Sequence, residues 1–116
     1  MAKGRKLAQQ TAEVWLKKEV YGEAPQEYHF VLKNGEKLKD LKDLLKALEK
    51  MPEDMFRHHV NNARNDFSAW INDVFKDNHL AEELKKLNTK IETEIALHRN
   101  LTEKMEKLVR RLAKNE

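Results

Sequence analysis

The chain has no cysteine, and only three glycines and two prolines among its 116 residues. Without cysteine there is no disulfide framework and no thiolate metal site, which fits a reducing cytoplasm. Few glycines and prolines leave few interior helix breakers, so long helices are expected. No apolar run approaches the ~20 residues of a membrane span, and the basic N-terminus lacks the apolar core of a signal peptide. A cytoplasmic protein with no membrane partner is therefore expected. Charge is plentiful, at 37% of residues against 40% hydrophobic. The hydrophobic residues are concentrated and periodic, which separates the chain from disordered sequences. Its length suits one domain, or one small domain with an appended helix.

Aromatic residues are only 7% of the chain, and three of them fall in one short stretch. In the stretch 65–75 the apolar residues Phe67, Trp70, Ile71, Val74 and Phe75 follow the i, i+3, i+4, i+7, i+8 spacing of one helix face. The segments on either side have faces to cover it. Residues 7–20 read as a helix with Leu7, Ala8, Thr11, Ala12, Trp15, Leu16 and Val20 on one broad face, stopped at Gly22. Residues 28–33 alternate like a strand, Asn34-Gly35 marks a turn, and 36–38 return. A lone hairpin is barely stable, so it must lie on the helices or pair with another copy.

Asp40 caps the next helix, lined by Leu41, Leu44, Leu45, Leu48 and Met51. Pro52 ends it and suits the start of another, 52–60, in which Met55, Phe56, His59 and Val60 share a face. Asn65 caps the aromatic helix, and Asp77 is placed to cap the helix after it. From Leu80 to the end, Leu84, Leu87, Ile91, Glu94, His98, Leu101, Met105, Leu108 and Leu112 keep a 4-3 spacing, read as one long coiled-coil helix. At ~1.5 Å per residue it spans roughly 55 Å. That exceeds the small core, so its distal part is expected to pack on another chain or fold back on the first helix. Leu84, Leu87, Ile91, Leu101, Met105, Leu108 and Leu112 are the expected oligomer interface, with a homodimer favoured.

Charge is uneven. Residues 1–20 hold five cations (Lys3, Arg5, Lys6, Lys17, Lys18) against two acids, and residues 99–114 hold six against two. The middle is mildly acidic. Basic ends suit an anionic partner. Lys3, Arg5, Lys6, Lys17 and Lys18 are the first candidates for phosphate contacts, extended by Arg110 and Arg111. No helix-turn-helix, zinc or RNA-recognition signature is present, so binding to DNA or RNA would have little sequence selectivity.

Catalytic and metal readings are weak. His58 and His59 are adjacent, point about 100° apart on a helix, and cannot readily share a metal. His59 lies on an apolar face and reads as a core histidine bonded to a neighbour. Asp66 and Asp73 are two turns apart, about 10 Å, too far to share a proton or metal. Asp73 has Arg57 or Arg64 as candidate partners. No nucleophile and base are paired, so no enzyme activity, cofactor or metal is expected.

From Tyr28 to Leu84 the chain resembles a small domain of unknown function that recurs in archaeal proteins. The matching residues are Phe30-x-Leu32-x-Asn34-Gly35, Leu38-x-x-Leu41-x-x-Leu44, Met51, Phe56-x-x-His59-Val60, Asn65-Asp66-Phe67-x-x-Trp70-Ile71-x-Asp73-Val74 and Leu80-Ala81. The resemblance implies a hairpin-plus-helices module and no particular activity. It leaves the first helix and the long terminal helix outside.

The expected fold is mainly α with a small β-hairpin, an α+β arrangement of short helices packed around the aromatic helix. Phe30, Leu44, Phe56, Phe67, Trp70, Ile71 and Val74 are its expected core. Its parts are a basic arm and helix (1–22), a linker (23–27), the hairpin with three short helices (28–79), and a coiled-coil helix (80–116). The expected function is a non-enzymatic, oligomeric, nucleic-acid-associated protein of chromatin, nucleoid or ribonucleoprotein. The other class is a protein–protein adaptor docking through its coiled coil or hairpin edge.

Overall fold

In the computed structural model, which describes residues 12–114, short polar side chains start the helices where the sequence places caps. Asp40 accepts the Asp43 N–H at 2.7 Å and opens helix α2, Leu41–Lys50. Asn65 accepts the Ser68 N–H at 3.0 Å and opens α4, Asp66–Trp70. Asp77 accepts the Leu80 N–H at 3.1 Å and opens α5, Asn78–Lys85. Each bond satisfies one of the N–H groups that a helix leaves unpaired at its start. Helix α3, Glu53–His59, follows Pro52. Ahead of them all, α1 covers 12–21, with Leu16–Tyr21 widened into π-helix and Gly22 beyond it at φ 73°.

Strands β1, Phe30–Val31, and β2, Lys37–Leu38, pair antiparallel with Phe30 opposite Leu38. Both are shorter than the sequence predicts. Gln26–Tyr28 forms a 3-10 turn, and Leu32 already belongs to the loop, accepting the Gly35 N–H at 2.8 Å. Of Asn34-Gly35 only Gly35 takes positive φ, 89°. Asn34 instead uses its side-chain oxygen to accept the Glu36 N–H at 3.0 Å. Two-residue strands cannot hold themselves together, so the hairpin lies on the helices. Phe30 sits 5.1 Å from the Phe67 ring, 5.6 Å from Trp70 and 5.2 Å from His59. The Trp70 indole N–H donates to the Tyr28 carbonyl at 2.8 Å.

Leu44, Phe56, Phe67, Trp70 and Ile71 are buried in one continuous core, and Phe30 and Val74 are half-buried against it. Val74 and Phe75 leave full burial because α4 continues as π-helix over Ile71–Phe75. The wider turn rotates residues away from the stripe that 3.6-residue periodicity predicts.

The single long terminal helix expected from the leucine spacing is in fact two helices, α5 and α6, Lys90–Lys114. Lys86 and Leu87 close α5 by donating to the Glu83 and Leu84 carbonyls at 3.3 and 3.0 Å. Thr89 then caps α6, with Glu92 at the capping-box position. The Glu92 N–H reaches the Thr89 hydroxyl at 3.3 Å, which donates to the Glu92 carboxylate at 2.6 Å. Local capping overrides an apolar spacing that runs on through the turn.

Helix α1 folds back antiparallel along α6. Trp15 meets Arg111, Tyr21 lies beside Leu101, Met105 and Val109, and Val20 and Gly22 lie near Lys104. The whole is elongated, 54 × 26 × 24 Å.

Asp40 shows a cost of capping from inside. Burial pushes its carboxyl above the ordinary carboxylate range, against the Asp43 N–H bond that favours the charged form. A raised carboxyl is worth most below its unfolded value of 3.8 and loses that contribution as pH climbs through the folded value. Asp40→Asn keeps a cap oxygen without the buried charge. It is expected to match or exceed wild-type stability at neutral pH, an advantage that fades in acid. Asp40→Ala is expected to lose about 1 kcal/mol. Urea melts at neutral and acid pH check both.

Candidate functional site

The basic residues singled out in the sequence fall in two groups. Lys3, Arg5 and Lys6 lie outside the described residues, as do Leu7, Ala8 and Thr11 of the predicted first helix. Lys17, Lys18, Arg110 and Arg111 are brought to the same part of the molecule by the antiparallel packing of α1 on α6. Trp15, half-buried, lies between Lys18 and Arg111 there. The Arg111 guanidinium lies 4.8 Å from the indole centroid and the Lys18 ammonium 5.9 Å from it, within cation–π range.

Several of these cations already have acidic partners. Arg111 donates to Glu19 at 2.6 Å, and Arg110 lies 3.7 Å from Glu106 one turn away. Arg99 faces Glu83 at 3.6 Å. Lys104 donates to Asp77 at 2.9 Å. Burial pushes the Asp77 carboxyl up, but Lys104 and the Leu80 N–H outweigh it and hold it below the ordinary range. The exposed pairs are worth little and exchange readily with another anion. The Arg111–Glu19 bond ties α1 to α6, and the less exposed Lys104–Asp77 bond ties α6 to the start of α5.

The expected oligomer seam is divided. Leu84, Leu101 and Leu108 are buried within the chain, and Leu87 and Leu112 pack half-buried against the same core. Only Ile91 and Met105 of the seven face solvent. A spacing that joined α5 to α6 mixed residues from two faces. Beside Met105 runs an apolar groove of about 600 Å³, lined by Tyr21, Leu45, Leu101 and Val109 among others. A single seam drawn through both helices passes over this groove, although a second 4-3 spacing within α6 marks it.

His59 is buried and both ring nitrogens are engaged. Nδ1 donates to Asp66 at 3.0 Å, and Nε2 accepts the Lys33 backbone N–H at 3.2 Å. Asp66 also takes Arg64 at 3.3 Å. The pattern ties hairpin, α3 and α4 together and leaves no ring nitrogen free for a metal or substrate. Asp73 is exposed, and its two expected partners go elsewhere, Arg57 to Glu53 at 3.6 Å and Arg64 to Asp66. Among the described residues no three His, Asp or Glu side chains converge as a metal site, and no helix is long and apolar enough to cross a membrane.

Comparison with curated proteins and with solved structures finds no match. A family profile does match, over residues 25–106. That span is wider than the resemblance at 28–84 and takes in α5 and most of α6. The family match thus reaches into the C-terminal helix as far as Glu106, where the resemblance stops at Leu84. By this match the chain belongs to the family of unknown function DUF5752.

Proposed function

We propose that the protein is a non-enzymatic, self-associating factor that binds the phosphate backbone of nucleic acid with little sequence selectivity. The observation that carries this reading is the antiparallel packing of α1 on α6. It brings Lys18 and Arg111 over the same Trp15 ring from opposite ends of the sequence, with Lys17 and Arg110 as their chain neighbours. A phosphate arriving there competes with Glu106 for an exposed guanidinium. Lys3, Arg5 and Lys6, outside the described residues, precede the same helix in the sequence and carry three further positive charges. Contacts of this kind position a protein on a duplex or strand without reading bases. An archaeal, cytoplasmic protein belongs to the same proposal.

Replacing Lys17, Lys18 and Arg110 with glutamine tests it, because these side chains are exposed and α1 keeps its Arg111–Glu19 tie. Wild type is expected to bind duplex DNA or RNA with affinity that falls steeply with salt. The triple variant is expected to bind more weakly with a shallower slope, by about 0.9 for each duplex phosphate no longer neutralised. No binding by wild type at low salt, or an unchanged slope in the variant, overturns the reading. The apolar groove at Met105 favours the second reading, an adaptor docking another protein.

A further inference from the structure

Helix α6 carries an apolar stripe that the described residues leave exposed. Ile91 is 60% exposed, Ile95 49%, Met105 37% and Val109 59%. With His98 and Thr102 between them, both exposed, the positions 91, 95, 98, 102, 105 and 109 keep an unbroken 4-3-4-3-4 spacing. This is the seam pattern of a coiled coil. It lies on a different face from Thr93, Leu97, Leu101 and Leu108, which are buried in the chain's own core. Buried and exposed stripes on one helix are what a helix shared between a core and a partner needs.

We propose that this stripe pairs with the same stripe of a second copy, antiparallel, about a two-fold axis near residues 103–104. The proposal takes the self-association in the reading above and gives it a surface. The occupant follows from charge. The flank beside the stripe reads Glu92, Arg99 and Glu106 in successive heptads. In antiparallel pairs the same flank of each helix meets the other. The register that sets Thr102 of one copy against Met105 of the other also sets Arg99 against Glu106, twice by symmetry. In that register Ile95 opposes Leu112 and His98 opposes Val109. Moving the register by one heptad sets Arg99 against Arg99 and Glu92 against Glu106, and parallel pairing stacks His98 on its own copy. One arrangement is complementary and those two are not. The present partners of Arg99 and Glu106, at 3.6 and 3.7 Å on the surface, are weak enough to give way. His98 and Thr102 are polar positions that discriminate against slipped registers.

The test is light scattering on the whole chain without nucleic acid, so that it stands or falls apart from phosphate binding. Wild type is expected at about 27 kDa, twice the 13.7 kDa chain. Ile95→Asp with Val109→Asp is expected to give the monomer mass with an unchanged circular dichroism spectrum, both side chains being exposed. Arg99→Glu and Glu106→Arg are each expected to weaken the dimer, and the two together to restore it. A wild-type monomer at the highest soluble concentration overturns the proposal. So does a dimer that survives the two aspartates. Failure of the charge swap to restore pairing overturns the antiparallel register.

Discussion

Phe67→Ala is expected to remove about 3–5 kcal/mol of stability. Phe67 is fully buried, and it is where the parts of the fold meet. Its ring lies 5.1 Å from Phe30 of the hairpin, 6.3 Å from Phe56 of α3 and 5.4 Å from His59. Truncation leaves a cavity bordered by three rings from two other elements, Phe30 of the hairpin and Phe56 and His59 of α3. The hairpin cannot settle into it freely, because the Trp70 N–H holds the Tyr28 carbonyl and His59 holds the Lys33 N–H. The cost therefore lies toward the upper part of the range for aromatic truncations. Domains of this size have ~5–15 kcal/mol in total, so the variant falls near the limit of folding. Urea denaturation followed by Trp fluorescence is expected to give a much lower midpoint with the slope kept. Phe67→Leu, which preserves most of the volume, is expected to lose far less. A loss under about 1 kcal/mol for alanine would place the centre of the core elsewhere.

How much of this was legible depended on how local each signal is. Caps are read from one side chain and one N–H three residues on, so Asp40, Asn65 and Asp77 are visible in the sequence and do what their chemistry implies. The aromatic face at 67, 70 and 71 is visible for the same reason, since it needs only helical periodicity. The break between α5 and α6 was equally local. Thr89-x-x-Glu92 has the capping-box spacing, but the leucine spacing through Leu84, Leu87 and Ile91 ran across it and masked it. Periodicity cannot tell one helix from two when the turn between them preserves the phase.

The candidate surfaces were less legible, because they depend on which face the rest of the chain covers. Ile91 and Leu101 look alike in sequence, and one is exposed while the other is core. The difference comes from α1 and α2 lying along α6. Arg111 likewise reads as a free cation until Glu19, 92 residues away, is placed beside it. The juxtaposition of Lys18, Trp15 and Arg111 is a product of tertiary packing, and only its charge balance was visible beforehand.

Gly22→Ala is expected to act more selectively than Phe67→Ala and by a comparable route of over-constraint. Gly22 has φ 73° and ψ 175°, a combination open essentially to glycine alone. Holding alanine there costs on the order of 1–3 kcal/mol in backbone strain. A second cost comes from packing. A Cβ at this position stands 2.7 Å from two carbons of the Phe75 ring, and Phe75 is held edge-on against Trp70 at 4.9 Å. The ring must turn or α1 must lift. Lifting α1 exposes Val20 and releases Trp15 and Leu16 from the core, so the variant is expected to separate α1 from α6 while 28–114 stays folded. Gly35→Ala separates the two costs. Its φ is 89°, but nothing lies within 4 Å of its Cβ, so it is expected to show backbone strain only. Adding Phe75→Ala to Gly22→Ala is expected to recover the steric part, giving a double-mutant coupling that the Gly35 site lacks. Hydrogen exchange locates the effect. Amides of 12–21 are expected to lose protection in Gly22→Ala while those of α2 and α4 keep theirs. Uniform loss across the chain would mean that α1 is required for the whole fold and does not open as a unit.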